Sequence, residues 1–344
     1  MYLPNSKTLA VALSIAVGLS SATAAQTAAG NPAQDAVQVP ALSAPIVLPS
    51  TPPQKFTRNV LAGDKVRQRV FIPSYRVSFL ISASATARTT DTRANVETVL
   101  TGAEPALIQA ITDRAHADLV ERLTAAGFTV VTRQEWSASS GAASLKARPG
   151  EIEIQKMSSG GARHSYALVH PTGLGAWPET AMPVNLGAVR TMTRELDATM
   201  IAPRFTVNYA YVQAKGGGPM AILSRGAQAS FTPMIHGGPV IGGFSMEPWR
   251  VRVGQHGGFM EYKVDGSLEA PGDFGVVSGG RDGARSTSAG AASVDTWEGR
   301  LGYNSQMTAT GRFEVDPDAY ARLALQALAL QNQVAVDQLK KARR

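Results

Sequence analysis

Between Glu104 and Trp136 the apolar residues step like a helix. Ile108, Ile111, Ala115, Leu119, Leu123 and Ala126 follow one another at three or four positions, while Asp113, Arg114, Asp118, Glu121 and Arg122 fall mainly on the other side. Pro105 suits the first helical position, where its missing N–H costs nothing, and Gly127 suits the left-handed residue just past the last turn. Phe128, Val130 and Val131 then predict a short buried strand. Tyr75 to Ser84 is a near-continuous apolar run, as expected of a strand covered on both faces. A right-handed crossover through the helix predicts these two strands as parallel neighbours.

The pattern changes several times further along. Thr89 to Thr101 is polar and reads as a loop or short helical turn. Glu151 to Ile154 alternates, and with His164 to His170 it predicts a hairpin. Leu186, Val189, Met192 and Leu196 mark a second amphipathic helix, followed by a long strand from Ala198 to Ala214. Pro203 cannot donate to a ladder, so this strand is expected to bend there or lie at an edge. Beyond Lys215 glycine is frequent. Ala229 to Ile235 is a weak strand interrupted by Pro233, and Trp249 to Val253 with Phe259 to Asp265 predicts a hairpin. Gly279 to Ser293 reads as a loop and Leu301 to Phe313 as a strand. From Asp316 and Pro317 a closing helix begins, apolar on two sides: Tyr320, Leu323, Ala327, Leu330 and Val334 on one, Leu325, Leu328 and Leu339 on another. Such a helix is buried between layers or shared between subunits.

These elements predict an α/β (α+β) fold, a mixed sheet carrying crossover helices and extended by antiparallel hairpins and a C-terminal helix. The run LVERLTAAGFTVVTRQEW after an apolar strand, with a later helix leading into ATMIAPRFTVNYAYV, resembles the periplasmic α/β domain of the curli secretion channel (CsgG) family. It also resembles the amino-terminal domain of TolB and the penicillin-binding-protein activator lipoproteins. Phe128, Val130, Val131 and Arg133 carry the likeness, which covers roughly residues 70–214. It implies an envelope protein that assembles with itself or with partners in secretion or surface attachment. It also implies that hairpins of the second half could line a barrel. WRVRV is short for a membrane strand and carries arginines, which favours a sheet extension.

The first residues add an address. Lys7, the apolar run Leu9 to Leu19 and the small residues of SSATAAQ form a secretory signal pattern, with cuts expected after Ala24 or Ala25. Residues 26–57 are rich in proline and alanine and read as a disordered linker. An α/β domain is expected over 58–214, then a glycine-rich β-hairpin extension with its closing helix over 215–344. The chain has no cysteine, which excludes disulfides, thiolate chemistry and lipid attachment at a cysteine. The expected location is therefore periplasmic or outer-membrane associated, without lipidation. The net charge of +7 suits an anionic contact such as a polysaccharide or membrane surface. Basic and aromatic residues do not cluster as nucleic-acid binding requires.

No catalytic, cofactor-binding or metal-binding residue is assigned. His236-Gly237-Gly238-Pro239 resembles an esterase oxyanion loop, but no G-x-S-x-G elbow follows; Glu247 stands where the second glycine should be. A periplasmic serine hydrolase using His236, Ser245 and Asp265 is thus the second expectation. A module gripping acidic polysaccharide through Lys340 to Arg344 is the third. His164 and His170 lack a third metal ligand and are expected to be ordinary, partly exposed histidines. Glu151 and Glu153 read as the wet side of a strand. Asp265, Asp273 and Asp282 have no EF-hand spacing, and Gly279-Gly280 with Arg281 and Arg285 reads as a loop.

Overall fold

The computed structural model describes residues 42, 46, 48, 55–60, 66–88, 92–145, 152–159, 162–175, 182–215, 228–237, 250–255, 258–265, 267–278 and 305–343. In chain order these hold β1 (Lys55–Val60), β2 (Arg69–Phe71), β3 (Arg76–Arg88), β4 (Thr92–Thr101), α1 (Pro105–Ala125), β5 (Thr129–Val130), α2 (Arg133–Ser137), β6 (Glu153–Ser159), β7 (Ala162–Val169), α3 (Met182–Glu195), β8 (Thr199–Lys215), β9 (Gln228–Gly237), β10 (Arg250–Gln255), β11 (Gly258–Asp265), β12 (Leu268–Ala270), β13 (Gly275–Ser278), β14 (Ser305–Val315) and α4 (Pro317–Arg343). Parallel and antiparallel pairings mix in the sheet, so the chain is α/β as expected.

α1 ends as its sequence foretells. Gly127 has φ +82°, the Gly127 N–H reaches Thr124 O and the Phe128 N–H reaches Leu123 O, which closes a Schellman turn. Leu107, Ile108, Ile111, Ala115, Leu119 and Leu123 all lie in the main core. Each fully buried Leu or Ile contributes roughly 1.5–3 kcal/mol.

β3 is where the sheet branches. Along one side it pairs antiparallel with β7, which pairs with β6 as the expected hairpin. Its other side pairs in parallel with β8 from Arg76 to Phe79, then antiparallel with β4 from Ser82 to Arg88. The β8 branch continues through β10 and β11 to β1, and the β4 branch through β14 to β13. Past Asn208, β8 leaves for β9, and β9 takes β12. Strands from both sides of Lys215 therefore share one sheet. Residues 37–344 are one compact unit, and the glycine-rich texture marks no boundary in space.

Several expectations change. The strands at Tyr75 and Phe128 are not neighbours: β5 pairs with β2, and the parallel partner of β3 is β8. The short β2 was not read from its three residues, and it takes the place beside β5. The resemblance thereby loses the crossover pairing it leaned on. Thr89 to Thr101 is mainly strand β4, because Ala94, Val96 and Thr98 point inward between polar residues that point out. Within β8, Pro203 stands opposite Val251 of β10, and on the other flank it falls between the pairing of β2, which ends at Met200, and that of β3, which begins at Arg204. Pro233 sits where the β8–β9 register shifts, a position that tolerates a missing donor. Within 26–57, Leu42, Ile46 and Leu48 pack against the core, and Arg114 Nε donates to Leu42 O at 3.0 Å, so these positions are ordered. Residues 1–25, Gly216–Gly218 and Gly279–Ser293 lie outside the described residues.

α4 is buried on both expected sides within the chain itself. It packs against α1, β8, β9 and β12. Asn332, fully buried, donates to Ala115 O at 2.9 Å and to Asp118 Oδ2 at 2.8 Å. Arg122 Nε donates to the same carboxylate oxygen at 2.7 Å. Gln331 fills a gap in the ladder. β10 leaves β8 at Arg204 and β9 joins it at Asn208. Between them the Thr206 N–H and C=O bond to the Gln331 amide at 3.1 and 3.0 Å. A Cβ on Gly237 would lie 2.4 Å from that amide nitrogen, so any side chain there must push the Gln331 amide away from Thr206.

Candidate functional site: an open cationic sheet face

The residues first suspected of chemistry are sealed in the interior. His236 on β9 is fully buried, its Nε2 lies 3.2 Å from Ala210 O, and its ring stacks on Tyr211 at 3.9 Å between centroids. Burial pushes its pKa down to about 4, with the Ala210 carbonyl opposing, so the ring is neutral at pH 7. Ser245 and the Asp265 side chain lie outside the described residues.

His164 and His170 are 2% and 7% exposed rather than partly exposed, because both sit on strand faces or ends that turn inward. His170 Nδ1 lies 3.0 Å from Tyr75 O, and His164 packs edge-on against Tyr166. Burial takes the His164 pKa down to about 4 as well. Among the described residues no three His, Asp or Glu side chains gather into a metal-holding cluster. Glu153 is exposed on its edge strand and Asp273 in its turn, as expected.

In the basic tail, the Arg343 guanidinium donates to Gly127 O at 3.1 Å and lies 4.9 Å from the Phe128 ring centroid. It places a cation at the C-terminus of α1, where the helix dipole favours one. Lys340 and Lys341 are exposed.

The surface left open by the fold is elsewhere. From Ser82 onward β3 alternates strictly, with Ala83, Ala85 and Ala87 at 0–3% exposure and Ser82, Ser84, Thr86 and Arg88 on the opposite face. Register carries that opposite face across four strands. Arg93, Asn95 and Glu97 of β4 stand opposite Arg88, Thr86 and Ser84. Arg163 and Ser165 of β7 stand opposite Ser84 and Ser82, and Ser158 and Lys156 of β6 stand opposite those. Together they line a groove of about 1230 Å³.

Its charge is one-sided. Arg88, Arg93, Lys156 and Arg163 face a single carboxylate, Glu97. No ion pair or hydrogen bond joins any of the four cations to another described residue. Some cations elsewhere are matched: Arg69 meets Glu135 at 2.5 Å, Arg114 meets Glu121 at 3.2 Å, and Arg67 meets Asp197. The groove also offers hydroxyls and an amide, with Thr86 Oγ1 donating to Asn95 Oδ1 at 2.9 Å. No Phe, Tyr or Trp is among its described lining, and the one ring there, His164, is buried against Tyr166. The sequence signal for this face was the paired alternation S-A-S-A-T-A-R and R-A-N-V-E, which the reading of Thr89 to Thr101 as a loop hid.

A second, smaller cleft of about 570 Å³ lies past the ends of β2 and β5, with Ile72, Val120, Phe128, Trp136 and Leu174 in its wall and His116 and Arg133 on its polar side. Burial lowers the His116 pKa, with Asp113 opposing.

Comparison with known proteins adds no relative: no family model, no curated protein and no solved structure matches this chain.

Proposed function

We propose that this chain is an exported, non-catalytic protein of the cell envelope that acts in assembly or surface attachment by binding a partner. Its working surface is the open face of β6, β7, β3 and β4. One observation carries this reading: four cations share that face without a partner among the described residues, while the suspected catalytic histidine is closed off from solvent. A groove with four cations to one carboxylate raises the local concentration of an anionic partner. The secretory signal pattern supports a partner in the envelope, and no described helix is long and apolar enough to cross a membrane. The hairpin of β10 and β11 extends the sheet by pairing with β8 and β1.

Fractionation of bacteria producing the whole chain, followed by sizing of the released protein, tests this role. The native chain is expected in the envelope fraction, and Arg88→Gln/Arg93→Gln is expected to shift most of it to the soluble periplasm. Retention in the cytoplasm, or equal envelope association of both, overturns it.

A further inference from the structure

We infer that the open face holds an extended acidic polysaccharide, a proposal that rests on the binding role just given and names the partner's chemistry. The placement of the charges decides the class. Lys156 of β6 lies level with Ser82 two strands away, Arg163 of β7 with Ser84 on the neighbouring β3, and Arg88 of β3 with Arg93 on the neighbouring β4. From strand spacing and rise, the line from Lys156 to Arg93 runs diagonally for about 25 Å. Arg163 and Arg88 are about 14 Å apart along it. Charges so spread do not converge on one phosphate or one carboxylate. They match a polymer that carries an anion on successive units.

Between the cations stand Ser82, Ser84, Thr86, Asn95, Ser158 and Ser165, short groups that both donate and accept. They suit the hydroxyls of sugar units lying between anionic ones. Single-stranded nucleic acid is the poorer match, because its bases stack on exposed aromatic side chains and the one ring in the described lining, His164, is 2% exposed and packed on Tyr166. Arginine also pairs with carboxylates in a forked, two-bond geometry, and three of the four cations are arginine.

The test uses the purified mature chain and polygalacturonate, with dextran as the neutral polymer, oligodeoxythymidylate, and phosphatidylglycerol vesicles. Polygalacturonate is expected to bind and to be released by salt, with dextran unbound. Arg88→Gln/Arg93→Gln and Lys156→Gln/Arg163→Gln should each weaken binding at least tenfold. Lys340→Gln/Lys341→Gln, which removes the same charge from the tail, should leave it unchanged, and Arg88→Lys/Arg93→Lys should restore part of it. Equal loss from the tail variant, or tighter binding of the oligonucleotide or the vesicles at this face, overturns the polysaccharide. No polyanion binding overturns it too, and the envelope fractionation of the same arginine variant then decides separately whether the face binds another partner.

Discussion

The two faces of the sheet around β3 are built from the same strands and meet opposite fates. On the inner face Ala83, Ala85, Ala87, Ala94, Val96, Thr98 and Ala162 are nearly all small, and each is at most 8% exposed. Their size lets β9 approach β3 and β4 closely. Where the layers widen, rings fill the space: Tyr209, Phe231, Phe274, Phe313 and Tyr320 pack with centroids 4.8–6.3 Å apart. On the outer face the alternate residues from Ser82 to Arg88 and from Arg93 to Glu97 are polar, with Val99 and Ile154 exposed beyond them, nothing described lies over it, and Arg88, Arg93 and Arg163 have no partner among the described residues. Period-two patterning thus assigns one side to stability and leaves the other for contact. Sequence changes on the two sides should separate cleanly.

The largest effect belongs to the inner face. Phe313→Ala empties the middle of the ring cluster and should cost about 3–5 kcal/mol, read from urea unfolding. Acid comes next. His164 and His236 titrate near 6.5 when unfolded and near 4 when folded. Stability is therefore full above pH 6.5 and falls as pH drops toward 4, because the unfolded chain takes up the protons first. The loss should reach a few kcal/mol in total, seen as a falling urea midpoint; a flat midpoint would mean that the rings are not buried. Ala85→Leu, overfilling a fully buried site, should cost about 1–3 kcal/mol. Smallest is Arg88→Gln/Arg93→Gln on the outer face, which should change stability by less than about 0.5 kcal/mol. A loss as large as that of Ala85→Leu would make the outer face structural.

How much of this could be read from sequence follows from range. α1 and its Gly127 stop, the hairpin of β6 and β7, the long β8 and the two-sided α4 all follow from local period and punctuation. The pairing of β3 with β8 does not, since a crossover rule sees only adjacent units and the three-residue β2 takes the place beside β5. The bond from Gln331 to Thr206 joins residues 125 apart and has no local sign. β4 was legible in its alternation, but its charged and polar outward residues masked it as a loop. The working face was missed along with it, because that face exists only when β4 and β7 flank β3.

Cysteine labelling examines the outer face most directly, since the native chain contributes no thiol of its own. Ser84→Cys and Asn95→Cys would be treated with a polar maleimide in the purified chain and in isolated envelopes, beside Ser137→Cys at the exposed end of α2. A covered working face gives full labelling of the first two in the purified chain, strong protection in envelopes, and no protection at residue 137. Equal labelling of all three in both preparations would contradict it.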